Sequence, residues 1–107
     1  MTNMGKSVGI IEVYGLAAAF VAVDAGCKAA AVTVETLDKN KPGNADALPV
    51  PLIVAIKFRG SVENVKAAVE AAAIAAKGVS GVVSQHVIAN VEDSTEKMLK
   101  LNAFDKN

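Results

Sequence analysis

A chain of 107 residues has room for one domain, and its single cysteine, Cys27, excludes an internal disulfide and any metal site built from cysteines alone. The 11 basic and 11 acidic residues balance and are scattered, so no basic face offers itself to nucleic-acid phosphates. Hydrophobic residues make up 52% of the chain with no Trp, one Tyr and three Phe, which implies an aliphatic, alanine-rich core and a small apolar domain with reason to bury surface against copies of itself.

Met1 to Lys6 is followed by no apolar run of the length a secretion signal needs, because Glu12 interrupts it. The longest uncharged stretches, Val13 to Val23 and Gly78 to Val91, are too short to span a bilayer. A soluble cytoplasmic protein is expected, with no membrane partner.

Val8 to Tyr14 reads as a first strand, β-branched and aromatic, ended by Gly15. From Leu16 to Ala31 the period becomes helical: Leu16, Ala19, Phe20, Val23 and Cys27 form one stripe expected to face the core, and Asp24 with Lys28 forms an i,i+4 acid-to-base pair elsewhere on the surface. Val32 to Leu37 alternates as a half-buried strand. Asp38 to Pro51 follows, dense in turn and breaker residues, and is expected to be one long loop. Leu52 to Phe58 is a nearly continuous apolar strand, the pattern of burial on both faces. Ser61 is the expected N-cap of a helix over Val62 to Lys77, with Val62, Val65, Ala68, Val69, Ala72 and Ala73 as its inner stripe and Gly78 as its stop. Val82 to Ile88 is the last strand. Asp93 with Glu96 three residues on resembles a capping box opening a short helix over about 93–102, with Met98, Leu99 and Leu101.

The order strand, helix, strand, strand, helix, strand, helix predicts an α+β fold of the ferredoxin-like split βαβ type. It has a four-stranded antiparallel sheet, both long helices on one face and a short C-terminal helix besides. One domain spans 1–107, with its core over about 8–88.

Little of the chain reads as chemistry. His86, the only histidine, sits on a strand whose neighbours alternate between faces and supply neither nucleophile nor carboxylate, so a structural or solvent-facing role is expected. Cys27 is expected to be a buried, inert thiol on the first helix. Gly78-Val79-Ser80-Gly81 and Pro42-Gly43-Asn44 lack the spacing of a phosphate loop and are turns. Glu92, Asp93 and Glu96 fall at a helix start, where carboxylates favour the positive end of the dipole, rather than forming a metal cluster. The long loop remains, since connections of that length are often functional.

Three stretches carry a family resemblance. They are Gly9-Ile10-Ile11-Glu12-Val13-Tyr14-Gly15-Leu16 with Ala22-Val23-Asp24-Ala25-Gly26-Cys27-Lys28-Ala29-Ala30, then Phe58-Arg59-Gly60-Ser61-Val62, and finally Val83-Ser84-Gln85-His86-Val87-Ile88. Together they resemble the single-domain hexameric shell proteins of bacterial microcompartments, the BMC domain class, over Val8 to about Lys100. The resemblance implies a flat cyclic homohexamer with an axial pore that tiles edge to edge, alongside other shell proteins and around encapsulated enzymes, with no catalysis, cofactor or metal.

The resemblance also implies that Lys28 lies on the hexamer edge, where its stem can follow apolar surface while its head finds acceptors. Where relatives carry a proline and an edge arginine after the last strand, this chain has Ala89 and Asn90, and Asn90 lacks the guanidinium fork. The pore segment differs too: Asp38, Lys39, Asn40, Lys41, Pro42, Gly43, Asn44, Ala45 and Asp46 stand where relatives have a short loop. Some relatives with long pore loops bind an iron–sulfur cluster through a loop cysteine, and this loop has none. The alternative is a small-molecule-binding regulatory oligomer on the same fold, with the loop as its binding element; an enzyme using His86 is a third reading, without a partner residue to support it.

Overall fold

Alternation along the first strand sends Ile11 and Val13 to one face and Val8 and Ile10 to the other, and the whole domain is organised by that division. In the computed structural model, which describes residues 6–40 and 52–100, the elements are β1 (Ser7–Tyr14), α1 (Leu16–Ala29), β2 (Thr33–Asn40), β3 (Ile53–Gly60), α2 (Val62–Lys77), β4 (Val82–Ile88) and α3 (Asp93–Leu99). The strands form one antiparallel sheet in the order β2-β3-β1-β4, the split βαβ arrangement that the element order predicts.

The inner core joins Ile11 and Val13 of β1 and Val54, Ile56 and Phe58 of β3 to the small residues of α1 and α2. Phe58 is its largest fully buried side chain; burying one such group contributes roughly 1.5–3 kcal/mol. Close approach depends on Gly26 in α1, where an added Cβ would lie 2.6 Å from Phe58 Cζ and 3.1 Å from the Ala68 carbonyl oxygen. Gly15 enters α1 with φ 88°, a backbone region that a side chain disfavours.

On the opposite face Val8, Val91 and Leu99 form a second, smaller cluster, with Ile10 and Ile88 against it. β3 is therefore buried from both sides, as its continuous apolar pattern predicts. Yet the residues it turns to the second face are the charged Lys57 and Arg59, which are 7% and 9% exposed.

Several expectations are corrected. α1 turns Ala18, Ala19, Ala22 and Gly26 to the core, while Leu16 and Phe20 are exposed. Cys27 is exposed as well, so it is no buried thiol. Of the predicted stripe, Ala19 is in the core and Val23 packs against it, while the larger Leu16 and Phe20 lie on the flank because small residues fill the closest contact with α2 and the sheet. β2 runs on to Asn40, which places Asp38, Lys39 and Asn40 in the ladder rather than the loop. A bulge between Val34 and Thr36 breaks the predicted alternation: Val34 and Leu37 pack on the inner core, while the Thr36 hydroxyl donates to the Leu99 carbonyl at 3.0 Å.

Ser61 caps α2 as predicted, accepting from the Asn64 amide at 3.3 Å. Gly78, in contrast, stays in right-handed geometry with φ −75°, and the chain turns at Gly81, where φ is 143°. The cap of α3 is Glu92, accepting from the Ser94 amide at 2.9 Å, one residue before the expected Asp93. The rest of the predicted loop, 41–51, and the end of the predicted last helix, 101–102, lie outside the described residues. Among the described residues no helix is long and apolar enough to cross a membrane.

Candidate functional site

Strand register separates the residues singled out by sequence into two groups at opposite ends of the sheet. At one end Ser7 pairs with Gly60, Thr33 with Arg59, and Val8 with Ile88. The C-terminal end of α1 arrives there too, with the Ala31 carbonyl oxygen against Gly60 and the Ala31 amide donating to Asn64 Oδ1 at 3.4 Å. Lys28 and Asn90 both belong to this end. At the other, Tyr14 pairs with Ile53 and Ile53 with Asn40, and from there the chain departs into 41–51. An eight-residue strand separates the two ends by about 25 Å.

Lys28 Nζ lies 2.8 Å from Asp24 Oδ2, with both side chains more than half exposed. The Asp24 carboxylate, through that hydrogen bond first and its charge second, holds the Lys28 ammonium above the ordinary lysine range. Asn90 is exposed between two anchors: the Ser7 hydroxyl donates to the Ala89 carbonyl at 2.5 Å, and the Val91 amide donates to the Lys6 carbonyl at 2.9 Å. Its side chain projects from a fixed corner.

At the loop end the Lys39 amide donates to Asp38 Oδ1 at 3.0 Å. Of the expected pore residues, Lys41, Pro42, Gly43, Asn44, Ala45 and Asp46 lie outside the described residues.

Two surfaces flank this axis of the molecule. The outer side of α1 exposes Leu16, Phe20 and Val21, with Phe20 60% accessible, and Cys27 lies on the same helix. β4 pairs with β1 along one edge, and its Val83, Ser84, Gln85 and His86 are exposed. His86 stands opposite Ile10, and the hydroxyl of nearby Ser84 donates to Glu12 Oε1 at 2.5 Å.

Sequence reading passed over the most ordered charge cluster. Arg59 donates to both oxygens of Glu96, at 2.8 and 2.7 Å, and to Glu35 Oε1 at 3.3 Å. The bidentate bond to Glu96 raises the Arg59 guanidinium and, reciprocally, holds the Glu96 carboxyl below its usual range, with the charges of Lys6 and Lys100 adding to the second effect. Lys57 Nζ donates to the Leu99 carbonyl at 3.2 Å. The available signal was spacing: Lys57 and Arg59 stand two apart in an otherwise apolar strand, so both point to one face, and buried cations there require acidic or carbonyl partners. Beside Arg59 a cleft of about 410 Å³ is lined by Thr33, Val34, Glu35, Arg59, Glu96 and Lys100. Glu92 and Glu96 thus have separate roles, cap and ion pair. Among the described residues no group of three His, Cys, Asp or Glu could hold a metal.

Comparison with known proteins places this geometry. The BMC domain model matches residues 7–91. The chain is 36% identical over 94 residues to the bacterial microcompartment shell protein PduA of Citrobacter freundii, an alignment that covers 88% of this chain and 91% of the relative. It is 36% identical over 100 residues to the carboxysome shell protein CcmK2 of Synechococcus elongatus, covering 92% and 89%. A solved structure of a microcompartments protein from Desulfitobacterium hafniense superposes with TM-score 0.67 at 22% identity, over 91% of this chain and 50% of that one, and so shares the fold. With the family model spanning both ends of the sheet and every strand, the chain belongs to the BMC domain family.

Proposed function

We propose that this protein is a structural, non-catalytic shell subunit of a bacterial microcompartment. It closes into a cyclic homohexamer that tiles with copies of itself and with other shell proteins around encapsulated enzymes. The observation that carries the arrangement is the separation along the strands: β2 ends at Asn40 and the chain leaves the sheet at one end, and Lys28 and Asn90 occupy the other. A subunit of a closed ring needs an axial end and a rim end, and this division supplies both. The exposed apolar side of α1 and the outer edge of β4 are the flanks on which neighbours pack, since an unpaired strand edge and apolar side chains gain most from being covered.

At the rim, Lys28 reaches across to the adjoining ring, and Asn90 stands where an arginine fork serves in other members. At the axis, six copies of Asp38, Lys39, Lys41 and Asp46 bring charges of both signs to a narrow opening; a ring of one sign would be costly there. The segment narrows the opening and favours small polar metabolites. Light scattering of the purified chain at moderate salt tests the assembly. A mass of six chains is expected, and a clean monomer at roughly tens of micromolar overturns the reading.

A further inference from the structure

We propose that α3 is a releasable strap, closed over the Lys57–Arg59 floor of the sheet and able to open as a unit while the rest of the domain stays folded. This inference stands apart from the shell reading, since it concerns the sheet face opposite α1 and α2.

Seven residues are too few for a helix to hold itself in water, so α3 exists only where it is seated. Its seat is narrow. Leu99 is its only buried side chain, set against Val8 and Val91, and Met98 is 66% exposed. Among the described residues its polar attachments are the Arg59 fork on Glu96, and the Leu99 carbonyl accepting from Lys57 Nζ and the Thr36 hydroxyl. The cleft between α3 and β2 brings solvent to that fork, and the carboxylates of Glu35 and Glu96 are about a quarter exposed.

A cation and a carboxylate that separate into water both recover their hydration, so parting this pair costs far less than its geometry implies. The pivot is fixed. Val91 is buried and its amide is bonded to Lys6, while the Ala89 carbonyl is held by Ser7, so motion begins after Val91. Closed, the face sets Glu35 and Glu96 against Arg59; open, the carboxylate of Glu96 leaves with α3 while Glu35, on β2, stays with Arg59. The strap therefore changes the charge of one face without disturbing the other.

The groups facing Glu96 are Arg59 from β3, Glu35 from β2, Lys6 ahead of β1 and Lys100 at the end of α3. Neutralising Glu96 removes the charge-assisted fork.

Backbone amide exchange on the intact chain, read as protection factors, tests this. In Glu96→Gln at neutral pH, protection over residues 93–99 should fall about tenfold, the scale of a lost charged hydrogen bond, while β1 and β3 keep wild-type protection. Leu99→Ala should give the same pattern by an independent route. In the wild type, protection of α3 alone should fall as the medium is acidified through the Glu96 titration, and Glu96→Gln should lack that response. The proposal is overturned if α3 and β1 lose protection together in either variant, which means opening only by global unfolding, or if Glu96→Gln leaves α3 unchanged.

Discussion

Arg59 and Glu96 meet fork to fork, two guanidinium nitrogens at 2.8 and 2.7 Å from two carboxylate oxygens, across the seam between β3 and α3. A sealed ion pair that loses one partner strands a charge in the interior and costs about 3–5 kcal/mol. Here both carboxylates keep about a quarter of their side-chain surface in solvent and can rehydrate. Arg59→Met should therefore lower stability by only about 1–2 kcal/mol. Arg59→Lys should recover part of that loss, because a point charge cannot span both oxygens. Urea unfolding of the three proteins measures both.

The same pair sets a pH dependence with a definite sign. Arg59 holds the folded-state Glu96 carboxyl below its usual range. A carboxyl with a depressed folded pKa contributes stability above its unfolded pKa of about 4.3 and loses it as the pH falls through the folded value. Wild-type stability should therefore decline more steeply below about pH 5 than that of Glu96→Gln, with the two curves parallel above it. Urea midpoints at a series of pH values check this, and parallel curves throughout would show that the pair does not titrate with folding.

Much of this fold is legible in the sequence because period and punctuation agree. Val82–Ile88 and Val62–Lys77 fall where predicted, and Ser61 caps where its side chain can reach Asn64. Legibility fails where packing, not period, decides. In α1 the predicted stripe is split: Ala19 is buried and Val23 packs on the core, but Leu16, Phe20 and Cys27 are exposed, because the side pressed against Ala68 and Phe58 is filled by Ala and Gly. The bulge at Glu35 is likewise silent in the sequence, and its position is explained by Arg59, whose partner it presents. Glu96, read as part of a helix start, gave no sign of the cation it pairs with across 37 residues.

Gly26 carries a prediction whose sign must be argued. Gly→Ala inside a helix gains up to about 1 kcal/mol in propensity. The added Cβ, however, would meet Phe58 Cζ at 2.6 Å and the Ala68 carbonyl oxygen at 3.1 Å, and Phe58 is fully buried with no room to withdraw. Overpacking of this kind costs typically about 1–3 kcal/mol, so Gly26→Ala should be net destabilising. Combining it with Phe58→Leu should cost less than the sum of the two single changes, since the smaller side chain opens the contact. Thermal unfolding of the four proteins completes the cycle, and strict additivity would refute the contact.

Lys28 distinguishes the rim from the fold. Its partner Asp24 is exposed, and so is Lys28 itself, so the pair has little to do with domain stability. Lys28→Asp should lower the unfolding midpoint only slightly, through the like charge of Asp24, and leave the ring mass unchanged while abolishing extended sheets in electron micrographs, because a carboxylate would replace a donor at the proposed contact between rings. If the ring itself dissociates, Lys28 belongs to the subunit interface and the assignment of the rim is wrong. Asn90→Arg should act in the opposite direction and extend the sheets, since a guanidinium binds several acceptors at once from the corner that Ala89 and Val91 fix.

The last prediction concerns the segment proposed to lie at the axis. β2 and β3 remain paired to Asn40 and Ile53, so a replacement that began at Lys39 would remove rungs of the ladder as well as the connection. Replacing residues 41–51 by Gly-Ser-Gly keeps every observed pair, and a short glycine-containing link suffices to join neighbouring antiparallel strands. The shortened chain should retain the ring mass and close to wild-type stability, because loop length changes closure entropy only slowly. If the segment lies at the axis, the shortened ring should show a wider central opening by electron microscopy, and shells assembled from it should pass small polar metabolites faster. Asp38 and Lys39 remain in the shortened chain, so any charge selectivity that persists belongs to those strand ends, and any that disappears belongs to Lys41 and Asp46. An unchanged opening would remove 41–51 from the axis and leave it a surface segment; a widened opening with unchanged flux would keep it at the axis but deny it the gating role.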